Sequence, residues 1–160
     1  MTSVLLVGEV AGDGLGLSSI TLELLGAATR LAGDLGDGKV SCLLAGSDLD
    51  DIARSAVAAG ANEVFIADDP GLVQYSADIF LPIVVQVAKE TEAKVLLLGQ
   101  TSLGRDLAPR LATRLNSAVA MDALSLEVMD DRIRVTRSCY GGNARQVVVV
   151  LVFSGVFGKS

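Results

Sequence analysis

Histidine and tryptophan are both absent from the 160 residues, and aromatic side chains make up only 4% of them. Without histidine the chain lacks the commonest general base and the commonest metal ligand, which excludes Ser-His-Asp hydrolases and zinc enzymes of the usual kind. Cysteine is nearly as scarce: Cys42 lies inside an apolar run, Cys139 stands alone, and no CxxC spacing joins them. Both read as reduced thiols of a cytosolic-type protein. Positive charge is also short, with 13 Lys and Arg against 19 Asp and Glu, a net charge of −6 and a pI near 4.5. This balance argues against an electrostatic nucleic-acid binder. The longest apolar run, Val147 to Phe153, spans seven residues. No basic region precedes the short apolar stretch after Met1-Thr2-Ser3, so neither a membrane span nor a signal peptide is expected.

What the chain does have is apolar content of 51% with only 20% charged residues. A chain of this length suits one domain, at roughly 100–200 residues per domain, and residues 1–160 are read as a single unit. Apolar runs of strand length alternate with segments of helical period, which is the pattern of a parallel α/β sheet. Val4–Val7, Val40–Leu44, Val64–Ala67 and Val95–Leu98 are the four strand candidates, the first of them apolar on both faces as a central parallel strand should be. Between them, Ser18 or Ser19 caps a helix with Ile20, Leu24, Ala27 and Leu31 on one face. A second helix is expected near Leu49–Ala59 and is stopped by Gly60. The third follows the turn Asp68–Gly71 and runs to about Glu90, with Pro82 imposing a kink or a late start. The fourth carries Leu107, Leu111 and Leu115, and Pro109 sets its start near Gly104–Asp106 if proline occupies the first turn.

After Asn116 the register changes. A short strand at Ala118–Met121 is followed by Leu124–Val128 and Ile133–Thr136, joined as a hairpin by Asp130-Asp131, and by a last strand from Gln146 to Phe153. The expected fold is therefore a three-layer, doubly wound, mainly parallel α/β sheet with an antiparallel carboxyl-terminal extension.

Ligands of such sheets collect beyond the carboxyl ends of the strands, where strand order reverses. Two loops qualify. Gly8 to Gly16 spaces its later glycines as GxGxG, which departs from GxGxxG because residue 17 is Leu; its glycines serve either a turn or a close ligand approach. Thr101 to Asp106 places Thr101, Ser102, Gly104 and Arg105 at a helix amino terminus, where free amides and the dipole favour an anion such as a phosphate. The alternative is a structural loop in which Ser102 caps the helix and Arg105 pairs with Asp106 or a neighbouring loop. Gly158-Lys159-Ser160 imitates a P-loop ending, but residue 153, where the earlier glycine belongs, is Phe. Asp68-Asp69 and Asp130-Asp131 read as turn aspartates that satisfy backbone amides. Tyr140–Asn143 reads as a compact turn, with Cys139 beside it structural in the absence of a base.

The run Thr101-Ser102-Leu103-Gly104-Arg105-Asp106-Leu107-Ala108-Pro109-Arg110-Leu111-Ala112-Thr113-Arg114-Leu115 resembles the TS-x-GRDLAPRLAARL signature of electron transfer flavoprotein alpha subunits. Leu22–Leu25 with Ala27-Ala28, Ala61 to Pro70 (similar to GADKVLVADDP) and Tyr140–Ala144 (similar to YGGNA) extend the resemblance over essentially the whole chain. The resemblance implies the amino-terminal domain of such a subunit, with an adenine-nucleotide-alpha-hydrolase-like fold. It implies docking with an electron transfer flavoprotein beta subunit and with a flavin-binding domain or polypeptide. An acyl-CoA or other dehydrogenase would be an indirect partner, with neither nucleic acid nor membrane insertion involved. FAD belongs to the complete assembly and is not expected on this chain, whose family contacts to flavin lie in a carboxyl-terminal domain that nothing here matches. AMP is held by the equivalent fold in the beta subunit, whereas the resemblance to alpha subunits implies a domain that is generally empty. The resemblance further implies a heterodimeric, non-catalytic electron-transport component of the bacterial cytoplasm or, after processing, the mitochondrial matrix. Val149–Gly155 departs from the family's VRPGAF-like exit towards the flavin domain. Two alternatives remain open at this point. One is a free-standing adenine-nucleotide-binding module, although the G-x2-G-x9-G spacing of universal stress proteins is missing. The other is a small hydrolase or ligase, which would want an SGGxDS-like loop.

Overall fold

Strands that are apolar on both faces need cover on both faces, and that requirement organises the whole molecule. The computed structural model describes residues 3–36, 38–130 and 132–137, together with the backbone of 148–152. The elements are β1 (Ser3–Val7), α1 (Ser19–Asp34), β2 (Lys39–Gly46), α2 (Asp50–Ala58), β3 (Glu63–Asp68), a 3-10 turn (Pro70–Leu72), α3 (Ala77–Glu90), β4 (Ala93–Gly99), α4 (Ser102–Leu115), β5 (Ala118–Met129), β6 (Arg132–Arg137) and β7 (Val148–Val152). They build one seven-stranded sheet in the order β3-β2-β1-β4-β7-β5-β6. The first four neighbours are parallel, and β7, β5 and β6 are joined to them antiparallel.

Alternation along each strand sorts the side chains into two cores. Val4, Leu6, Cys42, Leu44, Val95 and Leu97 face the layer of α1 and α2, where Leu24, Leu25, Ala28, Ile52 and Ala56 complete one cluster. Leu5, Val7, Leu43, Leu96 and Leu98 face α3 and α4, where Phe80, Val84, Leu107 and Leu111 complete the other. The expected three-layer, doubly wound arrangement with an antiparallel extension is the one observed. Strand order reverses between β1 and β4, which places the crevice of the fold at the ends of those two strands.

Local signals set most boundaries. The Ser18 hydroxyl accepts from Thr21 N at 3.3 Å and starts α1. Asp68 reaches back 20 residues, its carboxylate accepting from the amides of Asp48 and Leu49, both at 3.0 Å, and so secures the entry to α2. Asp69 accepts from Gly71 N at 2.7 Å. These two aspartates are backbone-satisfying groups, as their place in a turn implied. Pro82 does not set the start of α3, which begins five residues earlier, at Ala77 after the 3-10 turn, and runs through Pro82 to Glu90.

Two expectations are corrected. Helix α4 starts at Ser102, not near Gly104–Asp106, and Pro109 falls in its interior. The cap at Thr101 sets the start, while Pro109 is tolerated because it faces solvent, where water can reach the carbonyl it leaves unpaired. The segment from Ala118 to Met129 is a single strand, not two. A left-handed residue, Asp122 at φ 55°, absorbs the break, so the strand pairs β7 before it and mainly β6 after it, with a register shift at the junction. Cys139, the Tyr140–Ala144 turn, Asp131, residues 146, 147 and 153 of the last strand, and Gly158–Ser160 lie outside the described residues.

Candidate functional site

The loop after β1 is a closed turn. Ala11 N donates to Gly16 O at 2.7 Å, Gly14 N to Ala11 O at 2.8 Å, and Leu15 N to the Asp13 carboxylate at 2.9 Å. Gly14, at φ 75°, meets the left-handed requirement of this turn. Side chains added at Gly12 or Gly16 would meet nothing within 4 Å, so neither glycine makes room for a neighbouring part of the chain. The loop is anchored by the buried Thr21 hydroxyl, which accepts from Glu9 N at 2.7 Å and donates to Glu9 O at 3.0 Å.

Glu9 also reaches across the switch point. Its carboxylate accepts from Thr101 Oγ1, at 2.9 Å to Oε2 and 3.1 Å to Oε1, while the same hydroxyl accepts from Gly104 N at 3.2 Å. One threonine therefore caps α4 and ties the β1 loop to the β4 loop, 92 residues apart. Burial raises the Glu9 carboxyl above its ordinary value, against the opposing effect of the Thr101 hydrogen bond. The amino terminus of α4, whose dipole favours negative charge, is thus approached by a carboxylate of the chain itself.

The four residues read from the sequence as an anion site separate into two pairs. Thr101 and Gly104 are drawn into the packing: a Cβ at Gly104 would stand 1.8 Å from the Gly99 carbonyl oxygen, so only glycine lets α4 lie this close to the end of β4. Ser102 and Arg105 remain exposed on the first turns of α4. The cap is Thr101, not Ser102, and Asp106 engages Arg110 at 3.4 Å and the Tyr75 hydroxyl at 2.7 Å, leaving Arg105 out of the pairing. Hydrogen bonding from Tyr75 is the main influence holding the Asp106 carboxyl below its ordinary range.

Beside this junction a cleft of ≈ 330 Å³ opens over the ends of β1 and β2, lined by Gly8, Glu9, Ala45, Tyr75, Phe80 and Leu103 among others. Its aromatic wall is a Tyr75–Phe80 pair with ring centroids 5.1 Å apart at 78°. Glu9 and the Tyr75–Asp106–Arg110 cluster were not singled out in the sequence. A lone carboxylate two residues past the end of the first strand is the signal that would have found Glu9. Among the described residues no group of three His, Cys, Asp or Glu side chains is arranged to hold a metal ion. No described helix is long and apolar enough to cross a membrane.

The strand order defines a doubly wound α/β domain elaborated by an antiparallel ribbon, with its crevice at the ends of β1 and β4. A model of the electron transfer flavoprotein domain matches residues 6–153, and the chain belongs to that family. It is 35% identical over 135 residues to the electron transfer flavoprotein subunit alpha of Megasphaera elsdenii, covering 83% of this chain and 40% of that protein. It is 38% identical over 129 residues to Protein FixB of Clostridium saccharobutylicum, covering 79% and 38%. To the electron transfer flavoprotein subunit alpha of Bacillus subtilis it is 32% identical over 146 residues, covering 91% and 43%. The resemblance read from Thr101–Leu115 is thus to the right family and to its alpha-type members. The chain spans about two-fifths of the length of these relatives.

Proposed function

We propose that this chain is the amino-terminal domain of an electron transfer flavoprotein alpha subunit. It serves electron transfer by docking with a beta subunit and supporting a flavin domain, not by carrying out chemistry itself. The family match over residues 6–153 is the observation that carries this reading. The crevice supports it, since Thr101 and Gly104 are spent on holding loops together and Glu9 brings negative charge to the place where a phosphate would need positive charge. In this reading FAD resides on the partner domain, an acyl-CoA or other flavin dehydrogenase delivers the electrons, and the assembly works in the cytoplasm or mitochondrial matrix. The test is to mix the chain with the beta subunit and flavin domain from the same source and measure mass by light scattering with flavin absorbance. A complex containing all three is expected. Persistent monomers, with no rescue by the flavin domain, would overturn the docking role.

The ≈ 330 Å³ cleft, bounded by the Gly8–Gly14 loop and by Leu103, favours a second reading, a free-standing adenine-nucleotide module that uses the two loops, with Ser102 and Arg105, just outside the cleft lining at the amino terminus of α4, taking the phosphate. In that case AMP binds the isolated chain, and Arg105→Ala weakens it by about tenfold, the worth of one charge-assisted hydrogen bond. Calorimetry showing no heat with AMP on the unmodified chain ends this reading.

A further inference from the structure

The two most exposed large apolar side chains among the described residues border the cleft at the ends of β1 and β2, each from a different loop. Leu15, 86% exposed, follows Gly14 of the cleft wall, and Val73, 69% exposed, is part of that wall. Leu15 is held out in water by its turn, because Ala11 N donates to Gly16 O at 2.7 Å and Leu15 N to the Asp13 carboxylate at 2.9 Å. Apolar groups fixed in water on both sides of a concave surface mark a contact with another molecule.

Charge tells what that molecule presents. At the carboxyl ends of β1–β4, in the loops that follow and in the first turn of each helix beyond, the β1 segment carries Glu9 and Asp13 and the β2 segment Asp48, Asp50 and Asp51. Asp68, Asp69 and Asp78 belong to the β3 segment, whereas the β4 segment brings the single cation of this end, Arg105. Eight of the nineteen carboxylates thus share this end with one of the thirteen cations, and the remaining eleven and twelve nearly cancel over the rest of the chain. Nothing close by restores the balance. In the next two helical turns Glu23 and Asp106 are matched by Arg54 and Arg110, and in the β5–β6 ribbon Asp122, Glu127 and Asp130 are matched by Arg132, Arg134 and Arg137. Four helix amino termini, each equivalent to about half a positive charge, offset only about two charges of the excess.

A surface with apolar contacts inside a negative field is complemented by a protein surface that carries Lys and Arg around apolar groups. A second copy of this chain brings the same sign and is the poorer fit, as is a polyphosphate. Residues that follow β7 leave from the opposite end of the sheet, since Val152 pairs with Val95 near the start of β4. The loop end is therefore open to a separate polypeptide.

We propose that the loop end of the parallel sheet, around the cleft, is the docking surface of this domain for a basic surface of the beta subunit, with Leu15 and Val73 seated in the contact and the surrounding aspartates steering the encounter. The inference rests on the docking function proposed above and adds where docking takes place and what chemistry the partner presents.

The experiment immobilises the full chain and measures association and dissociation of one probe, the purified beta subunit from the same source, across a range of ionic strength. Asp13→Asn with Asp50→Asn and Asp78→Asn removes charge at exposed positions, and Leu15→Ser with Val73→Ser removes the apolar contacts. Asp34→Asn with Glu90→Gln and Glu92→Gln is the charge-matched control, exposed at the opposite end of the sheet. Far-ultraviolet dichroism and thermal melting confirm the fold of each. The Asn triple should slow association by about tenfold at low salt and flatten its salt dependence, the Ser pair should speed dissociation by about tenfold, and the control should match the unmodified chain. Binding by the unmodified chain that neither test variant alters, or that only one of them alters, overturns the surface assignment while leaving docking intact. Faster association in the Asn triple, the sign of an acidic partner, overturns it too, as do equal losses in the Asn triple and the control, which would trace the effect to bulk charge. Failure of the unmodified chain to bind the beta subunit overturns docking and surface together.

Discussion

Gly104→Ala sets two physical effects of opposite sign against each other. Helix propensity favours alanine over glycine by about 1 kcal/mol in a helix interior, and by less in a first turn, so propensity alone makes the substitution stabilising. The tertiary contact opposes it: the new Cβ would lie 1.8 Å from the Gly99 carbonyl oxygen, where ordinary contact begins at 3.4 Å. Relief needs a displacement of about 1.6 Å between two backbones, and no rotamer change can supply it. Moving α4 by that amount pulls Leu107, Ala108 and Leu111, each 0% exposed, away from the sheet. Overpacking of this kind costs about 1–3 kcal/mol, and the backbone-to-backbone clash places the cost at the upper end, for a net loss of about 2 kcal/mol. In a domain of this size that corresponds to a fall in Tm of about 4–8 °C. Urea denaturation followed by circular dichroism measures it. Gly26→Ala in α1 is the control, because its added Cβ meets only the flexible end of Arg30 at 3.7 Å and should leave stability unchanged or raise it. A Gly104→Ala variant as stable as the unmodified chain, or more so, would refute the close α4–β4 contact.

Glu9→Gln should raise the melting temperature at neutral pH: burial lifts the folded-state carboxyl above 4.5, so the stability it contributes is present below that value and is lost as pH rises through the folded value. The advantage of the Gln variant should therefore shrink to nothing in melts at about pH 4 and below; an advantage independent of pH would refute this. Tyr75→Phe removes the main influence that holds Asp106 below its ordinary range, so the Asp106 carboxyl should titrate higher in a carbon-13 NMR titration. The stability linked to Asp106 is present above its unfolded value and lost on acidification, and in the variant that loss begins at higher pH; an unchanged Asp106 titration contradicts the assigned hydrogen bond. Burial pushes the Cys42 thiol up to about 12, so in a Cys139→Ser background a disulfide reagent at pH 8 should find no reactive thiol until urea unfolds the chain, when one equivalent appears. Rapid labelling of the native variant would show the β2 core to be open.

The sequence by itself determined the elements and the family. Val4–Val7 and Val95–Leu98 are apolar at successive positions, with Val40–Leu44 broken only by Ser41, and such a segment has few stable fates in water other than a strand covered on both sides. Ser18 before an amphipathic run and Gly60 after one report helix ends through hydrogen bonds that span only a few residues. The signature at Thr101–Leu115 is legible because it combines contiguous residues. Only the tertiary structure decided that β7 enters the sheet between β4 and β5, since an apolar run signals burial without naming its neighbours. It alone decided that Gly104 answers to a carbonyl five residues away across a turn, and that α4 starts at its threonine cap in spite of Pro109. The junction of Glu9 with Thr101 was equally out of reach, because local propensity acts over one turn or one strand, whereas this contact spans 92 residues and exists only once parallel strands β1 and β4 lie side by side.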